Sequence, residues 1–109
     1  MVALYAAARA FSDQGQNVLI DDLIMNIDGL DSHYWQLQKF FSGYPLKIID
    51  VFCPLAVCRE RNRVRPDGKE NQSDFQAARM KTDIDYALTL NTADSSAREC
   101  ADRVLALLP

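Results

Sequence analysis

"LKIIDVFCPLAVCRERNRVRPDG", residues 46–68, decides how this chain is read. It begins as a short apolar run suited to a β-strand, and Pro54 then stands where a helix opening "PLAVCRERN" wants it, at the first turn. Arg59, Arg61, Arg63 and Arg65 follow at every second position. On a helix that spacing splits into two i,i+4 rows, Arg59 with Arg63 and Arg61 with Arg65, on roughly opposite flanks, so at most one row faces a common target. Taken alone, the cluster reads as a solvated helix face with Glu60 as local counter-charge. Residues 65–73, "RPDGKENQS", contain no apolar side chain and predict an exposed loop.

The same alternation of helix and strand extends in both directions. Upstream, "VALYAAARAFSDQG" predicts an amphipathic helix with Leu4, Ala7, Ala8 and Phe11 on its apolar stripe and Gly15 as its stop. No capping residue precedes that helix. "NVLIDDLIM" is continuously apolar at Val18, Leu19 and Ile20, which predicts a central strand buried on both faces and ending at Asp21 and Asp22. "DSHYWQLQKFFSG" predicts a second helix with Tyr34, Leu37, Phe40 and Phe41 inward and Gly43 as its stop.

Downstream, "DFQAARMKTDI" has a helical pattern through Phe75, Ala78 and Met80 to Lys81, and "YALTLN" alternates as a third strand. The last helix is the best marked. Ser96 and Glu99 form an S-x-x-E capping box, and Ala97, Cys100, Ala101, Val104, Leu105 and Leu108 recur at helical spacing. Such alternation predicts an α/β fold with a parallel sheet and right-handed crossovers.

Composition sets the outer bounds. A length of 109 residues with 49% hydrophobic content is enough for one small domain, residues 1–109. The net charge of −3 argues against a nucleic-acid partner, which calls for a basic footprint. Cys53, Cys58 and Cys100 are odd in number and lack C-x-x-C spacing, and His33 is the sole histidine. Neither a disulfide framework nor a zinc site is indicated, and the cysteines read as small buried hydrophobes in a reducing cytosol. With no apolar stretch of about 20 residues and no cleavable leader, a soluble cytoplasmic protein is expected.

In a parallel sheet, ligands bind beyond the carboxyl ends of the strands, where Asp21 and Asp22 would deliver two carboxylates suited to magnesium. The second strand ends at the same edge and feeds the arginine helix, whose guanidinium groups stay ionised and grip phosphate oxygens in a fork. His33, Tyr34 and Trp35 read as an aromatic core cluster with a surface or cap histidine, and His33 receives no role.

Taken in order, these features resemble the C-terminal part of a P-loop kinase, most closely of the chloramphenicol phosphotransferase-like family, over nearly the whole chain. The resemblance is carried by "GQNVLIDDLI", by "VFCPLAVCRERNRVRPD", and by "QAARMKTDIDYALTLNT" with "SARECADRVLALL". It implies a partial P-loop kinase-type three-layer fold, with a parallel sheet of about three strands flanked by helices. It further implies ATP-dependent phosphorylation of a hydroxyl on a small molecule, with ATP and Mg2+ as cofactors.

By that analogy Asp21 or Asp22 sits near magnesium and the reacting hydroxyl, Arg61 and Arg65 are lid arginines over the phosphates, and Thr92 lies near the adenine. The chain departs from the family's pattern at Asn62, Gly68 and Lys81, where glutamate, arginine and histidine are usual. The sequence has no G-x-x-x-x-G-K-[ST] loop, whose strand would lie upstream of Met1 between the strands at 17–22 and 46–52. The expectation is therefore a kinase portion not competent alone, with sheet edges open to self-association. The alternatives are a non-catalytic α/β interaction or nucleotide-sensing module, whose arginine helix docks on an acidic partner, and a decayed kinase fragment.

Overall fold

The computed structural model describes residues 2–22, 24, 31–66, 74, 77 and 84–108. These form a mixed α/β structure in the order α1 (Val2–Asp13), α2 (Asp31–Phe40), β1 (Ile49–Phe52), α3 (Leu55–Val64), β2 (Leu88–Asn91) and α4 (Ala97–Leu105). The chain divides into two compact units, Met1–Leu46 and Lys47–Pro109.

In the first unit, α1 ends as the glycine predicts. Gly15 adopts φ +81°, a conformation open to glycine without strain. Its amide donates to the Ser12 carbonyl at 2.9 Å and that of Gln16 donates to Phe11 at 3.2 Å, which together satisfy the last carbonyls of the helix. Gly43, at φ +85°, follows α2 in the same way.

The buried face of α1 differs from the expected stripe. Tyr5 and Ala8 are buried, whereas Leu4 and Phe11 are 48% and 53% exposed. The reason lies on α2. Tyr5 meets Phe40 and Phe41 with ring centroids 5.8 and 5.5 Å apart, and an aromatic ring that also finds polar partners for its hydroxyl occupies the inner face in preference to leucine. On α2, Leu37 and Phe41 are buried as expected, but Trp35 is exposed and lies under the Lys39 ammonium, 4.9 Å from its ring centroid.

The segment Asn17–Ile20 departs most from expectation. It forms no strand, and Val18 and Leu19 are 44% and 78% exposed. A strand buried on both faces needs a hydrogen-bonded neighbour on each edge, and among the described residues none ladders onto this segment.

In the second unit, β1 and β2 pair in parallel with Ile49 opposite Leu88 and Phe52 opposite Asn91. The sheet therefore has two strands among the described residues, one fewer than expected. Pro54 is the N-cap of α3, extended at ψ 145°, and its carbonyl accepts from the amides of Val57 and Cys58 at 2.9 and 3.0 Å. Arg65 closes the same helix in extended geometry at ψ 131°, as a residue preceding proline must.

The capping box of α4 forms in full. The Glu99 amide donates to Ser96 Oγ at 3.1 Å, and the Ser96 amide donates to Glu99 Oε1 at 3.0 Å. Leu105 and Leu108, expected inward, are exposed. Ile84 and Leu90 are the buried apolar side chains described in this unit. The helix expected through Phe75, Ala78, Met80 and Lys81 lies outside the described residues, although Asp74 and Ala77 are helical.

The cysteine reading is corrected. Cys53 and Cys58 form a disulfide across the junction between β1 and α3, and Cys100 is a half-buried free thiol. The chain path explains the pairing: Pro54 turns it into α3, which brings the two α-carbons to 6.3 Å, within bridging reach. No helix among the described residues is long and apolar enough to cross a membrane.

Candidate functional site

Parallel pairing in register places the carboxyl ends of β1 and β2, Phe52 and Asn91, side by side. The loop leaving β2 is pinned there. The Thr92 amide donates to the Phe52 carbonyl at 2.8 Å, and Thr92 Oγ1 donates to the same oxygen at 3.2 Å. Asn91 braces the turn, accepting from the Ala93 amide at 3.0 Å through Oδ1 and donating to Asp94 Oδ2 at 3.1 Å through Nδ2.

Arg61 reaches this loop from α3. Its Nη1 donates to Thr92 Oγ1 at 2.7 Å and its Nη2 to the Thr92 carbonyl at 2.9 Å. The planar guanidinium fork matches two acceptors on one residue in a fixed geometry that a lysine ammonium does not present. Two of the remaining arginines turn to carboxylates. Arg59 Nε pairs with Asp74 at 2.7 Å, and Arg63 binds Glu60 at 2.6 and 3.0 Å, holding that carboxyl below its ordinary pKa. Arg65 is exposed at the end of α3. Among the residues expected at the site, Arg61 and Thr92 are therefore brought together.

Beside this pair lies a cleft of about 450 Å³. Leu90 from β2 with Cys100 and Val104 from α4 give it an apolar lining, and Arg61, Thr92 and Ser95 supply polar groups. A volume of that order, with a mostly apolar lining and a few polar groups, is within the range of small-molecule sites.

Asp21 and Asp22 belong to the first unit, and their environments differ. Asp21 is exposed. Asp22 is gripped: Tyr5 Oη donates to its Oδ2 at 2.8 Å, and His33 Nε2 lies 3.1 Å from the same oxygen. His33 Nε2 is also 2.6 Å from the Tyr5 hydroxyl oxygen. The direction of the hydrogen bond between Tyr5 and His33 follows the imidazole tautomer. Burial, the hydrogen bond to Asp22 and the charge of Asp22 together raise the Tyr5 pKa well above its ordinary value.

Tyr5 and His33 are the residues that sequence reasoning missed. His33 is buried, not a surface or cap residue. A signal was present: Tyr5 is in helical phase with Ala8, and His33 with Leu37, so each polar group shares the buried face of its helix and needs a partner there.

The profile of the family described as "Chloramphenicol phosphotransferase-like protein" matches residues 1–109. Comparison with curated proteins and with solved structures returns no match. At the level of the family the reaction is a kinase-type phosphotransfer, with a nucleotide and a small molecule as substrates. The mixed α/β order, the parallel strand pair and the arginine helix are consistent with a partial P-loop kinase-like fold. With the match extending over the whole sequence, the chain belongs to the chloramphenicol phosphotransferase-like family.

Proposed function

We propose that this chain carries part of the machinery of an ATP-dependent phosphotransferase acting on a hydroxyl of a small molecule. The observation that carries this reading is the two-point grip of Arg61 on Thr92 at the carboxyl end of the parallel strands, beside the apolar cleft. In this reading the cleft takes the adenine near Thr92, and Arg61 and Arg65 lie over the phosphates. Charge stabilisation is most of what a phosphoryl transfer asks of a protein, and guanidinium supplies it without a proton to lose.

Magnesium fits the donor set. A hard cation takes oxygen ligands, keeps several waters, and is held by one or two carboxylates together with substrate phosphates. Asp21 or Asp22 would be those carboxylates, and the ion, when bound, neutralises phosphate charge. The 109 residues contain no G-x-x-x-x-G-K-[ST] sequence, so they do not by themselves supply the backbone cradle for the β- and γ-phosphates. Nucleotide binding without turnover is therefore the property assigned to these residues alone.

The test is titration of the chain with a fluorescent ATP analogue, with Mg2+ and with EDTA. Binding that weakens in EDTA and in Arg61→Ala supports the reading. Binding indifferent to both, or none, overturns it.

A further inference from the structure

The chain around the Arg61–Thr92 contact closes on itself. Phe52, the last residue of β1, accepts at its carbonyl from the Thr92 amide at 2.8 Å and from Thr92 Oγ1 at 3.2 Å. The next residue, Cys53, is bonded through sulfur to Cys58 in the first turn of α3. Arg61 follows Cys58 by three positions, on the same face of that helix, and returns to Thr92 with two hydrogen bonds at 2.7 and 2.9 Å. A ring thus runs from Phe52 through the disulfide and α3 to Arg61, and through Thr92 back to Phe52.

We propose that the Cys53–Cys58 pair is a redox-modified site that positions Arg61: oxidised, it holds α3 where the guanidinium grips Thr92, and reduced, it relaxes that grip. This deepens the phosphotransferase reading above and rests on it for the ligand that feels the change. The bond joins residues with a sequence separation of 5, so it restrains the junction of β1 and α3 and little else of the chain. Both cysteines are half-buried, within reach of a small thiol. Cys58 Sγ lies 3.5 Å from the Cys53 carbonyl oxygen, so the thiol formed on reduction has an acceptor at hand. Pro54 brings no side-chain acceptor to the first amides of α3, and a helix N-terminus favours thiolate over thiol.

The exchange partner is a small dithiol. One of its thiolates bonds to a cysteine sulfur and breaks the Cys53–Cys58 bond, and its second sulfur then displaces that cysteine. The protein gains two electrons and two protons as two thiols, and the partner leaves as a cyclic disulfide. Oxidation is the reverse of these steps.

Amide exchange followed by NMR on the full chain, with and without the dithiol, tests this at a temperature where both forms are folded. On reduction the protection of the Thr92 amide should fall by roughly three- to tenfold, the worth of one hydrogen bond. The Ala106 amide, which donates to Asp102 within α4, should keep its protection. Cys53→Ser and Cys58→Ser should each give the reduced value with or without dithiol, and reoxidation should restore the unsubstituted chain. In Arg61→Ala the Thr92 amide should no longer respond to the dithiol.

Equal losses at Thr92 and Ala106 would mark a general staple, and a full response in Arg61→Ala would mark a route that bypasses the arginine. Either result overturns the positioning role, as does a Thr92 amide indifferent to reduction. Alkylation that finds Cys53 and Cys58 as thiols after treatment with the oxidised dithiol overturns the site itself. Affinity for the fluorescent ATP analogue should fall on reduction by the same factor as the Thr92 protection, and equal affinities in the two states overturn the control of binding. If the chain binds no nucleotide in either state, the phosphotransferase reading fails, and the tie between the disulfide and Thr92 is decided by amide exchange alone.

Discussion

Arg61 is joined to Thr92 by two hydrogen bonds, one to the hydroxyl at 2.7 Å and one to the carbonyl at 2.9 Å, across 31 residues of sequence. The contact ties the last turns of α3 to the loop that leaves β2. It also fixes a cation beside the cleft.

Replacing Arg61 by alanine should weaken nucleotide binding roughly tenfold or more, the scale of one lost charge-assisted pair. Arg61→Lys should recover only part of it, because an ammonium lacks the fixed planar fork that matches both Thr92 oxygens. The unfolding midpoint should move little, since the contact is exposed. Equal affinities for the arginine, lysine and alanine forms in a fluorescence titration would refute the assignment.

The capping box gives a pH dependence with a definite sign. Hydrogen bonds from the Ser96 backbone and side chain hold the Glu99 carboxyl below its ordinary pKa of 4.5. A depressed carboxylate contributes its stability in full above that ordinary value and loses it as pH falls through the lowered one. The protection of the α4 amides, measured relative to their intrinsic exchange rates, should therefore fall as pH drops below 4.5, and less so in Glu99→Gln, whose amide keeps the cap without titrating. Ser96→Ala should cost about 1 kcal/mol at neutral pH.

The disulfide between Cys53 and Cys58 closes a loop with a sequence separation of only 5. Loop-entropy reasoning for so short a ring predicts a loss of about 2 kcal/mol on reduction, as an upper figure. Denaturant unfolding with and without reductant measures it, and Cys58→Ser should behave as the reduced protein does in both. Mass spectrometry after alkylation should find Cys100 alone modified before reduction.

β1 is partnered only by β2 among the described residues, and its Val51 and Phe52 are 69% and 45% exposed. Two strands alone make a marginal sheet, and an open apolar edge recruits further strands. Sedimentation should show mass increasing with concentration, and Val51→Lys should suppress that increase.

The local elements were legible because their signals act over three or four residues. Pro54 before α3, the Ser96 and Glu99 pair before α4, and Gly15 after α1 each specify a helix boundary through hydrogen bonds made within one turn. β1 and β2 were legible from their apolar runs for the same reason. Leu4 and Phe11 were misplaced, since periodicity alone does not choose between two apolar stripes a residue apart, and α2 made that choice by presenting Phe40 and Phe41 to Tyr5.

The sequence by itself determined where α3, α4, β1 and β2 lie, that Arg61 and Arg65 share one row, and that a family pattern runs through the whole chain. Tertiary structure alone decided that Asn17–Ile20 is not a strand, that Arg61 turns to Thr92, that Cys53 meets Cys58, and that Tyr5 and His33 meet at Asp22. The physical reason is range. Caps and propensities are settled by near neighbours, whereas the partners of Asp22 come from 17 residues before it on α1 and from another helix after it, and no local pattern announces a meeting at that distance.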